Sequence, residues 1–172
     1  MKKKVKVIFL DFDGVITTLK LGWSIDEEKL VILKKIIDAT DAKIVISSSW
    51  REHTLDATIE KLTKGRDCNG NKILFPFIDK IIGITPRIMG YRLNDEVNEN
   101  GRKPLIDIPR GVEINDWLEN TEYTVESYVI LDDNTDMLYW QRNNFVKTDT
   151  YLGINDDDAN RCINILLTQK CD

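Results

Sequence analysis

Short runs of apolar and β-branched residues recur along the chain and end abruptly on polar side chains. Residues 5–10 form the first run, and residues 42–46 and 128–131 repeat it, each without strict alternation of apolar and polar positions. Such runs are typical of strands that are covered on both faces. Residues 81–84 give a shorter run of the same type. The pattern therefore predicts a buried, largely parallel sheet.

Helical spacing separates these runs. Apolar residues recur at helical positions from Leu30 to about residue 39, after Ser24-Ile-Asp-Glu27, which has the form of a capping box. Further helices are predicted near residues 55–62, 111–120, 137–142 and 156–168, with a short strand at 145–146. Strands that alternate with helices predict an α/β fold with a mostly parallel central sheet.

Residues 85–109 show no sustained period and contain several Gly, Asn and Pro residues. A loop of this length inside a compact domain is usually functional. Its basic residues are Arg87, Arg92, Arg102 and Lys103. We therefore expect a flexible flap at about residues 85–109, inside one domain that spans residues 1–172.

The composition fits one globular domain without a membrane segment. The chain has 172 residues, 42% of them apolar, and a formal charge of −5. No apolar run approaches the roughly 20 residues that a membrane span needs, and the run after the N-terminal lysines is too short for a secretory signal. We expect a cytoplasmic protein with no membrane partner.

Cysteine and histidine usage removes several kinds of site. Cys68, Cys162 and Cys171 form no C-x-x-C pair, and His53 is the single histidine. This pattern argues against a disulfide scaffold, a disulfide-linked partner, structural zinc and histidine-centred catalysis. Carboxylate chemistry remains as the main possibility.

Charge is spread unevenly along the chain. Residues 111–172 carry 13 Asp and Glu against four Lys and Arg. An acidic C-terminal third argues against a broad nucleic-acid surface. A substrate that is held by one phosphate end needs only a local basic spot, so this kind of ligand stays compatible with the sequence.

Three of the predicted strands end on polar groups: Asp11 and Asp13, residues 47–49 (three serines), and Asp132 with Asp133. In an open parallel sheet, ligands bind outside the carboxyl ends of the strands, so these groups are expected to meet. Carboxylates that converge in one crevice repel each other unless a cation neutralises them. Oxygen ligands beside a phosphate suit Mg²⁺, which is the cofactor that the pattern predicts.

Residues 9–15, F-L-D-F-D-G-V, resemble the first signature of the haloacid dehalogenase (HAD) superfamily of phosphohydrolases. V-I-L-D-D at residues 129–133 is similar to the acidic fourth motif of that superfamily, and the resemblance extends from residue 5 to about 150. It implies a Rossmann-like three-layer fold with a minimal cap. It also implies an aspartyl-phosphate mechanism.

The resemblance assigns roles to four aspartates. Asp11 corresponds to the nucleophile, and Asp13 to the general acid and base whose backbone carbonyl also contacts the metal. Asp133 corresponds to the direct metal ligand, with Asp132 as its close support. The implied metal set is therefore Asp11, Asp13, Asp132 and Asp133, while Asp136 is expected to cap a helix.

The second motif of the superfamily is a Ser or Thr that holds the phosphate. Ser48 is the preferred candidate, with Ser49 offering its amide, although residues 47–49 leave the register open. The Trp50-Arg51 pair that follows is similar to a HAD branch found in multidomain RNA-repair proteins. Trp50 is expected to lie in the core rather than to stack on a base, and Arg51 is a further candidate for substrate contact.

The third motif is normally a Lys, and this chain departs from it. Arg110, in Arg-Gly-Val-Glu-Ile, is similar to a pattern of the same repair-associated branch, and its guanidinium can hold phosphate through two nitrogens. Lys103 is the alternative, and Lys80 is next after it.

A minimal cap implies an open site that accepts phosphates on macromolecules. The leading hypothesis is a magnesium-dependent phosphomonoester hydrolase acting on a polynucleotide end or a nucleotide. The alternatives are a phosphoprotein phosphatase and a non-catalytic module that binds phosphate ends. The sequence does not separate these substrates, nor a 3′ from a 5′ phosphate.

Overall fold

The computed structural model describes residues 2–91 and 105–168. These residues form seven strands: β1 Lys4–Leu10, β2 Lys43–Ile46, β3 Ile81–Ile84, β4 Met89–Tyr91, β5 Leu105–Asp107, β6 Thr124–Asp132 and β7 Phe145–Lys147. They also form four α-helices: α1 Glu27–Thr40, α2 Leu55–Lys64, α3 Arg110–Asn120 and α4 Asp156–Thr168. Strands β1, β2, β3, β6 and β7 and the four α-helices follow in the order that the apolar pattern predicts. The helix predicted at residues 137–142 is wrong, because only a three-residue 3-10 helix, Tyr139–Gln141, forms there.

Five of the strands form one sheet in the order β3-β2-β1-β6-β7, and every pairing in it is parallel. This confirms the predicted α/β, Rossmann-like fold with a parallel central sheet. In the register of the central strands, Leu10 lies beside both Ile46 and Leu131. The polar residues that follow these three positions are therefore brought to the same edge of the sheet.

Alternate residues of β1 enter two separate hydrophobic cores, which gives the fold its three layers. Ile8 and Leu10 pack with apolar residues of α1 and α4 on one face of the sheet. Val7 and Phe9 pack with α3 on the opposite face. Because both faces of β1 are covered, the strand shows no apolar and polar alternation.

The start of α1 differs from the predicted capping box. Asp26 is the N-cap, and its Oδ1 accepts a hydrogen bond from the backbone N–H of Glu28 at 2.9 Å. The hydroxyl of Ser24 instead accepts a hydrogen bond from the side-chain amide of Asn69 at 3.0 Å. Both residues are good N-caps, and the tertiary contact of Ser24 with the 66–72 loop decides between them.

Part of the segment predicted to be a loop is extended. Strands β4 and β5 pair antiparallel, with Met89 opposite Asp107. Each is three residues long, which is too short for a periodic signal in the sequence. Residues 92–104, which include Arg92, Arg102 and Lys103, lie outside the described residues, so the flap stays a prediction.

None of the helices in the described ranges is long and apolar enough to cross a membrane. Cys68 is exposed and Cys162 is buried, and both are free thiols. Cys171 lies outside the described residues.

Candidate active site

Backbone hydrogen bonds carry the sheet past the formal ends of its strands and fix the residues that follow them. The amide of Asp11 donates to the carbonyl of Leu131 at 2.9 Å, and the amide of Ser47 donates to the carbonyl of Leu10 at 3.0 Å. The side chains of Asp11 and Ser48 thus start from a rigid edge. Rigid placement is what a catalytic site requires.

Three carboxylates meet at this edge. Asp11, Asp132 and Asp133 each offer one oxygen, and the three oxygens lie within 4.8 Å of one another. Gly14 makes the arrangement possible, because its φ is +70° and a Cβ there would lie 2.3 Å from the Asp133 carboxyl group. The glycine of the first motif is therefore required by both its backbone conformation and the space that Asp133 occupies.

Burial makes two of these carboxylates, Asp11 and Asp132, costly to ionise. Asp132 is fully buried, and this burial, together with the negative charge of Asp11, raises the pKa of Asp132 to about 7. Burial also raises the pKa of Asp11, while the charge of Arg110 and a hydrogen bond with Ser48 act in the opposite direction. Within the described residues, Oδ1 of Asp11 and Oδ2 of Asp132 are buried without a hydrogen-bond partner. A hard divalent cation would satisfy both oxygens, so the residues present fit a metal site.

The side chain of Asp13 is not among the three clustered carboxylates. Its Oδ1 accepts two hydrogen bonds, from the hydroxyl of Thr17 at 2.8 Å and from the indole N–H of Trp50 at 3.0 Å. Asp13 is half-buried, whereas Asp11 is buried. The two aspartates of the first motif therefore have different surroundings, which suits different roles. The predicted contact of the Asp13 backbone carbonyl with the metal stays a prediction.

The three serines after β2 have three different environments. Ser48 is buried, hydrogen-bonds with Asp11, and accepts the backbone N–H of Trp50 at 3.2 Å on its hydroxyl oxygen. Ser49 is exposed, and Ser47 is buried with a hydroxyl that has no partner among the described residues. The contact with Asp11 supports Ser48 in the phosphate-holding role.

Arg110 lies at the first position of α3 and near the carboxylates. The backbone N–H of Arg110 donates to Oδ2 of Asp136 at 2.8 Å, so Asp136 supplies an acceptor to the first turn of α3, although Pro109 is the N-cap of that helix. The positive charge of Arg110 acts to lower the pKa of both Asp11 and Asp132. Its Nη1 is buried without a partner in the described part of the chain. Arg110 thus keeps a buried donor for which the described residues supply no acceptor.

Lys80 and Lys103 are the two alternatives for the third motif, and the structure describes only Lys80. Lys80 precedes β3 and pairs with Asp41 at 3.2 Å, at the amino edge of the sheet and away from the carboxylates. The suggestion that Lys80 could serve the site is therefore wrong. Lys103 lies outside the described residues, so the comparison with Arg110 stays open.

Arg51 is a structural clamp and not a substrate ligand, which corrects the sequence-based expectation. Its buried guanidinium donates to the carbonyls of Ser47 at 2.8 Å, Ser48 at 2.7 Å and Thr85 at 3.0 Å, and it forms an ion pair with Glu113. These contacts use the nitrogen donors on protein groups. Arg51 therefore fixes the backbone that presents Ser48.

The sequence between residues 7 and 159 matches the family model for the HAD domain in Swiss Army Knife RNA repair proteins. The chain belongs to this family. The match confirms the resemblance drawn from the first and fourth motifs. No curated protein and no solved structure matches the chain. Membership suggests a phosphohydrolase of the HAD superfamily, whose domains typically use a metal ion.

Sequence reasoning missed several contacts that shape the site of this HAD domain. Trp50 packs against the core, as predicted, but its indole N–H also orients Asp13. Thr17 supplies the second donor to Asp13, and Glu113 holds Arg51. Each contact joins positions that are distant or unmarked in the chain, so no local pattern signals it.

Two cavities of the HAD domain differ in their relation to the carboxylates. A cavity of about 410 Å³ opens beside Asp13, and its walls are Trp23, Ser49, Trp50, Lys61, Arg66, Asp67 and Cys68. A larger one of about 710 Å³ lies between α1 and residues 71–76 and contains none of the site aspartates. Of these two cavities, the smaller one is lined by a site aspartate, Asp13.

Proposed function

We propose that this HAD domain is a magnesium-dependent phosphomonoester hydrolase that forms an aspartyl phosphate and acts on a polynucleotide end or a nucleotide. The proposal rests mainly on the groups that surround Asp11. This buried carboxylate lies within 4.8 Å of carboxylate oxygens of Asp132 and Asp133, and near Arg110 and Ser48. A phosphate group would be drawn to this point by the arginine and the cation.

In the first chemical step, an oxygen of Asp11 forms a bond to phosphorus and the bond between phosphorus and the ester oxygen breaks. The leaving oxygen takes a proton from Asp13. In the second step, Asp13 removes a proton from water as the water oxygen forms a bond to phosphorus and the bond between phosphorus and the Asp11 oxygen breaks. This step releases inorganic phosphate and restores Asp11. When bound, the cation supplies positive charge that lowers the repulsion between the phosphate and the carboxylates.

The hydrogen bonds of Asp13 support its part in both steps. Because Oδ1 already accepts from Thr17 and Trp50, the transferable proton is carried by Oδ2. The two donors also restrict rotation of the carboxyl group. Asp13 is thereby held in one orientation while the leaving group and then water occupy the place beside it.

Ser48 and Arg110 are proposed to hold the phosphate. Arg110 can pair with two phosphate oxygens, and its unpartnered buried Nη1 is available for one of them. Ser48 contacts Asp11 and can donate its hydroxyl hydrogen to a phosphate oxygen. The exposed Ser49 can add its backbone N–H.

The substrate class rests on the family description and on the shape of the site. The family is named for HAD domains in RNA repair proteins. Trp23 and Trp50 line the cavity beside Asp13, and Lys61 and Arg66 lie in the same wall. Aromatic and basic side chains together suit a nucleotide.

The proposed function is tested by a phosphate-release screen with Mg²⁺. The substrates are oligonucleotides with a 3′ or a 5′ phosphate, mononucleotides and phosphopeptides, each with and without EDTA. We expect EDTA-sensitive release from a nucleotide or from an oligonucleotide end. Release from phosphopeptides alone would contradict the substrate class, and the absence of release from every phosphomonoester would contradict the hydrolase.

A further inference from the structure

We infer that the cavity beside Asp13 binds the nucleobase of the nucleoside that leaves, with the base stacked against Trp23. This inference rests on the proposed function and adds the feature of the substrate that the domain recognises. It concerns the base next to the scissile phosphate, whether that base belongs to a free nucleotide or to the end of a polynucleotide.

The cavity is continuous with the site of the proposed reaction, because Asp13 belongs to both. Asp13 lines the cavity and is the residue that protonates the leaving oxygen in the proposed mechanism. The group attached to that oxygen must therefore extend past Asp13. The volume of about 410 Å³ lies within the usual range for small-ligand pockets. The cavity is thus the leaving-group site, and the residues that line it indicate the chemistry of the leaving group.

Two indole rings line the cavity. Trp23 and Trp50 are both half-buried, so each presents part of its ring to the cavity. Trp50 is fixed by its hydrogen bond to Asp13 and by packing on Phe12, with ring centroids 5.3 Å apart. Stacking on aromatic side chains is the common way to bind a base without reading its sequence.

The backbone at Trp23 is strained. Its φ is +65°, a conformation that a bulky residue rarely adopts, and Gly22 before it has φ +62°. The strained turn is held by the Trp23 amide, which donates to the Thr18 carbonyl at 2.9 Å, and by Asn69, whose side-chain amide donates to the Gly22 carbonyl at 2.6 Å. Strain that is retained at a half-buried ring beside Asp13 indicates a functional placement of that ring.

The charges of the cavity favour a nucleotide over an aromatic residue of a protein. Lys61, Arg66 and Asp67 lie in its wall. Lys61 is paired with Glu52 at 2.7 Å, whereas Arg66 is exposed with one nitrogen bound to the Gly70 carbonyl. An exposed guanidinium beside two indoles matches a base that is followed by a further phosphate. A phosphotyrosine ring would use the indoles but has no second anion for Arg66.

Binding of a nucleoside without any phosphate tests the inference apart from hydrolysis. The probe is adenosine, titrated into the full chain with Mg²⁺ and followed by calorimetry. We expect Trp23→Ala to weaken adenosine binding about 5- to 100-fold, and Trp23→Phe to keep most of the affinity. Trp140→Ala is the matched control, because Trp140 is 62% exposed and hydrogen-bonds with Asn115 away from the cavity.

A glycine variant separates folding from stacking. Because residue 23 has a positive φ, Trp23→Gly relieves backbone strain while it removes the ring. We expect this variant to keep the melting temperature of the native chain within a few degrees and to bind adenosine as weakly as Trp23→Ala. An affinity that is equal in native, Ala and Gly chains, or no adenosine binding by the native chain, would overturn the inference.

Kinetics identify the source of the base. With phosphate release as the readout, we expect Trp23→Ala to lower the ratio of kcat/KM for a nucleotide to kcat/KM for glycerol phosphate by about tenfold. Arg66→Ala should then lower kcat/KM for an oligonucleotide end more than for a mononucleotide if the base belongs to a polymer, and equally if it does not. A loss confined to a phosphotyrosine peptide would overturn the nucleobase assignment. Failure of all hydrolysis would count against the proposed function, while adenosine binding still decides the cavity.

Discussion

Asp13 presents one carboxylate oxygen to two donors, the hydroxyl of Thr17 and the indole N–H of Trp50. The second donor comes from the loop after β2, so the general acid is oriented by the element that also carries Ser48. Trp50 is a positioning residue in this account. The effect of its hydrogen bond on the rate should therefore depend on how much the leaving group needs a proton from Asp13.

Trp50→Phe keeps a ring on Phe12 and removes the donor to Asp13. We expect kcat for an alkyl phosphate to fall about tenfold, which is the worth of about one hydrogen bond, with a smaller loss for p-nitrophenyl phosphate, whose leaving group needs little protonation. Trp140→Phe, at an exposed position, is the control. Equal losses for both leaving groups would show that Trp50 acts only through folding.

Arg110 is the residue on which the third-motif assignment depends. If its guanidinium holds phosphate in both the ground state and the transition state, Arg110→Ala should raise KM and lower kcat/KM. The loss of transition-state stabilisation calculated from kcat/KM should be about 2 to 4 kcal/mol. Arg110→Lys should restore part of the loss, because a point charge returns without the two-nitrogen fork. Lys103→Ala is the comparison. A crippling effect of Lys103→Ala on a small phosphomonoester, with Arg110→Ala near neutral, would reverse the assignment.

At the scale of elements, Arg51 joins the ends of β2 and β3 to α3. Its side chain and that of Glu113 are 5% and 10% exposed, and they form an ion pair. A buried pair of this kind adds little by its charges alone, but loss of one partner leaves the other charge buried and unpaired.

Arg51→Ala should therefore lower the free energy of unfolding by about 3 to 5 kcal/mol, and Glu113→Gln by less because the amide oxygen can still accept a hydrogen bond. Urea unfolding measures both. The exposed pair of Lys34 and Asp38 supplies the matched control, with Lys34→Ala costing no more than about 0.5 kcal/mol. A cost for Arg51→Ala as small as that of the control would refute the clamp.

The sequence predicts those elements whose apolar runs are long or end on a chemical signal. Strands β1, β2 and β6 were predictable because buried runs stop at aspartates and serines, and α4 because its apolar spacing is regular. The predicted N-cap of α1 was wrong because Asp26 and Ser24 are equally good caps locally. Only the contact of Ser24 with Asn69 decides that Asp26 is the cap. Long-range side-chain pairs leave no mark on local pattern at all.

The whole chain is acidic, and two of its buried carboxylates, Asp11 and Asp132, lie together in the site. The formal charge is −5, and burial raises the pKa of Asp132 to about 7 and that of Asp11 above its ordinary value. A carboxyl whose pKa is raised on folding stabilises the folded state at low pH. That contribution is lost as the pH rises from about 4 towards 7.

Without a divalent cation, the melting temperature should therefore fall as the pH is raised from 5 to 8. Mg²⁺ should restore stability, by about 2.7 kcal/mol at 100 times its dissociation constant, and more strongly at pH 8 than at pH 5, where protons compete for the carboxylates. Scanning calorimetry with Mg²⁺ and with EDTA measures both effects. A melting temperature that is independent of Mg²⁺ at pH 8 would exclude the metal site.

The covalent bond that Asp11 is proposed to form to phosphorus can be trapped by acid quenching during turnover and detected by mass spectrometry of the digested chain. With Mg²⁺ and a substrate from the phosphate-release screen, we predict a phosphoryl group on the peptide that contains Asp11. The adduct should be absent in EDTA and in Asp11→Asn, which should keep its melting temperature within a few degrees and lose phosphate release. Turnover of Asp11→Asn within about tenfold of the native chain, with no adduct on the native peptide, would contradict the account.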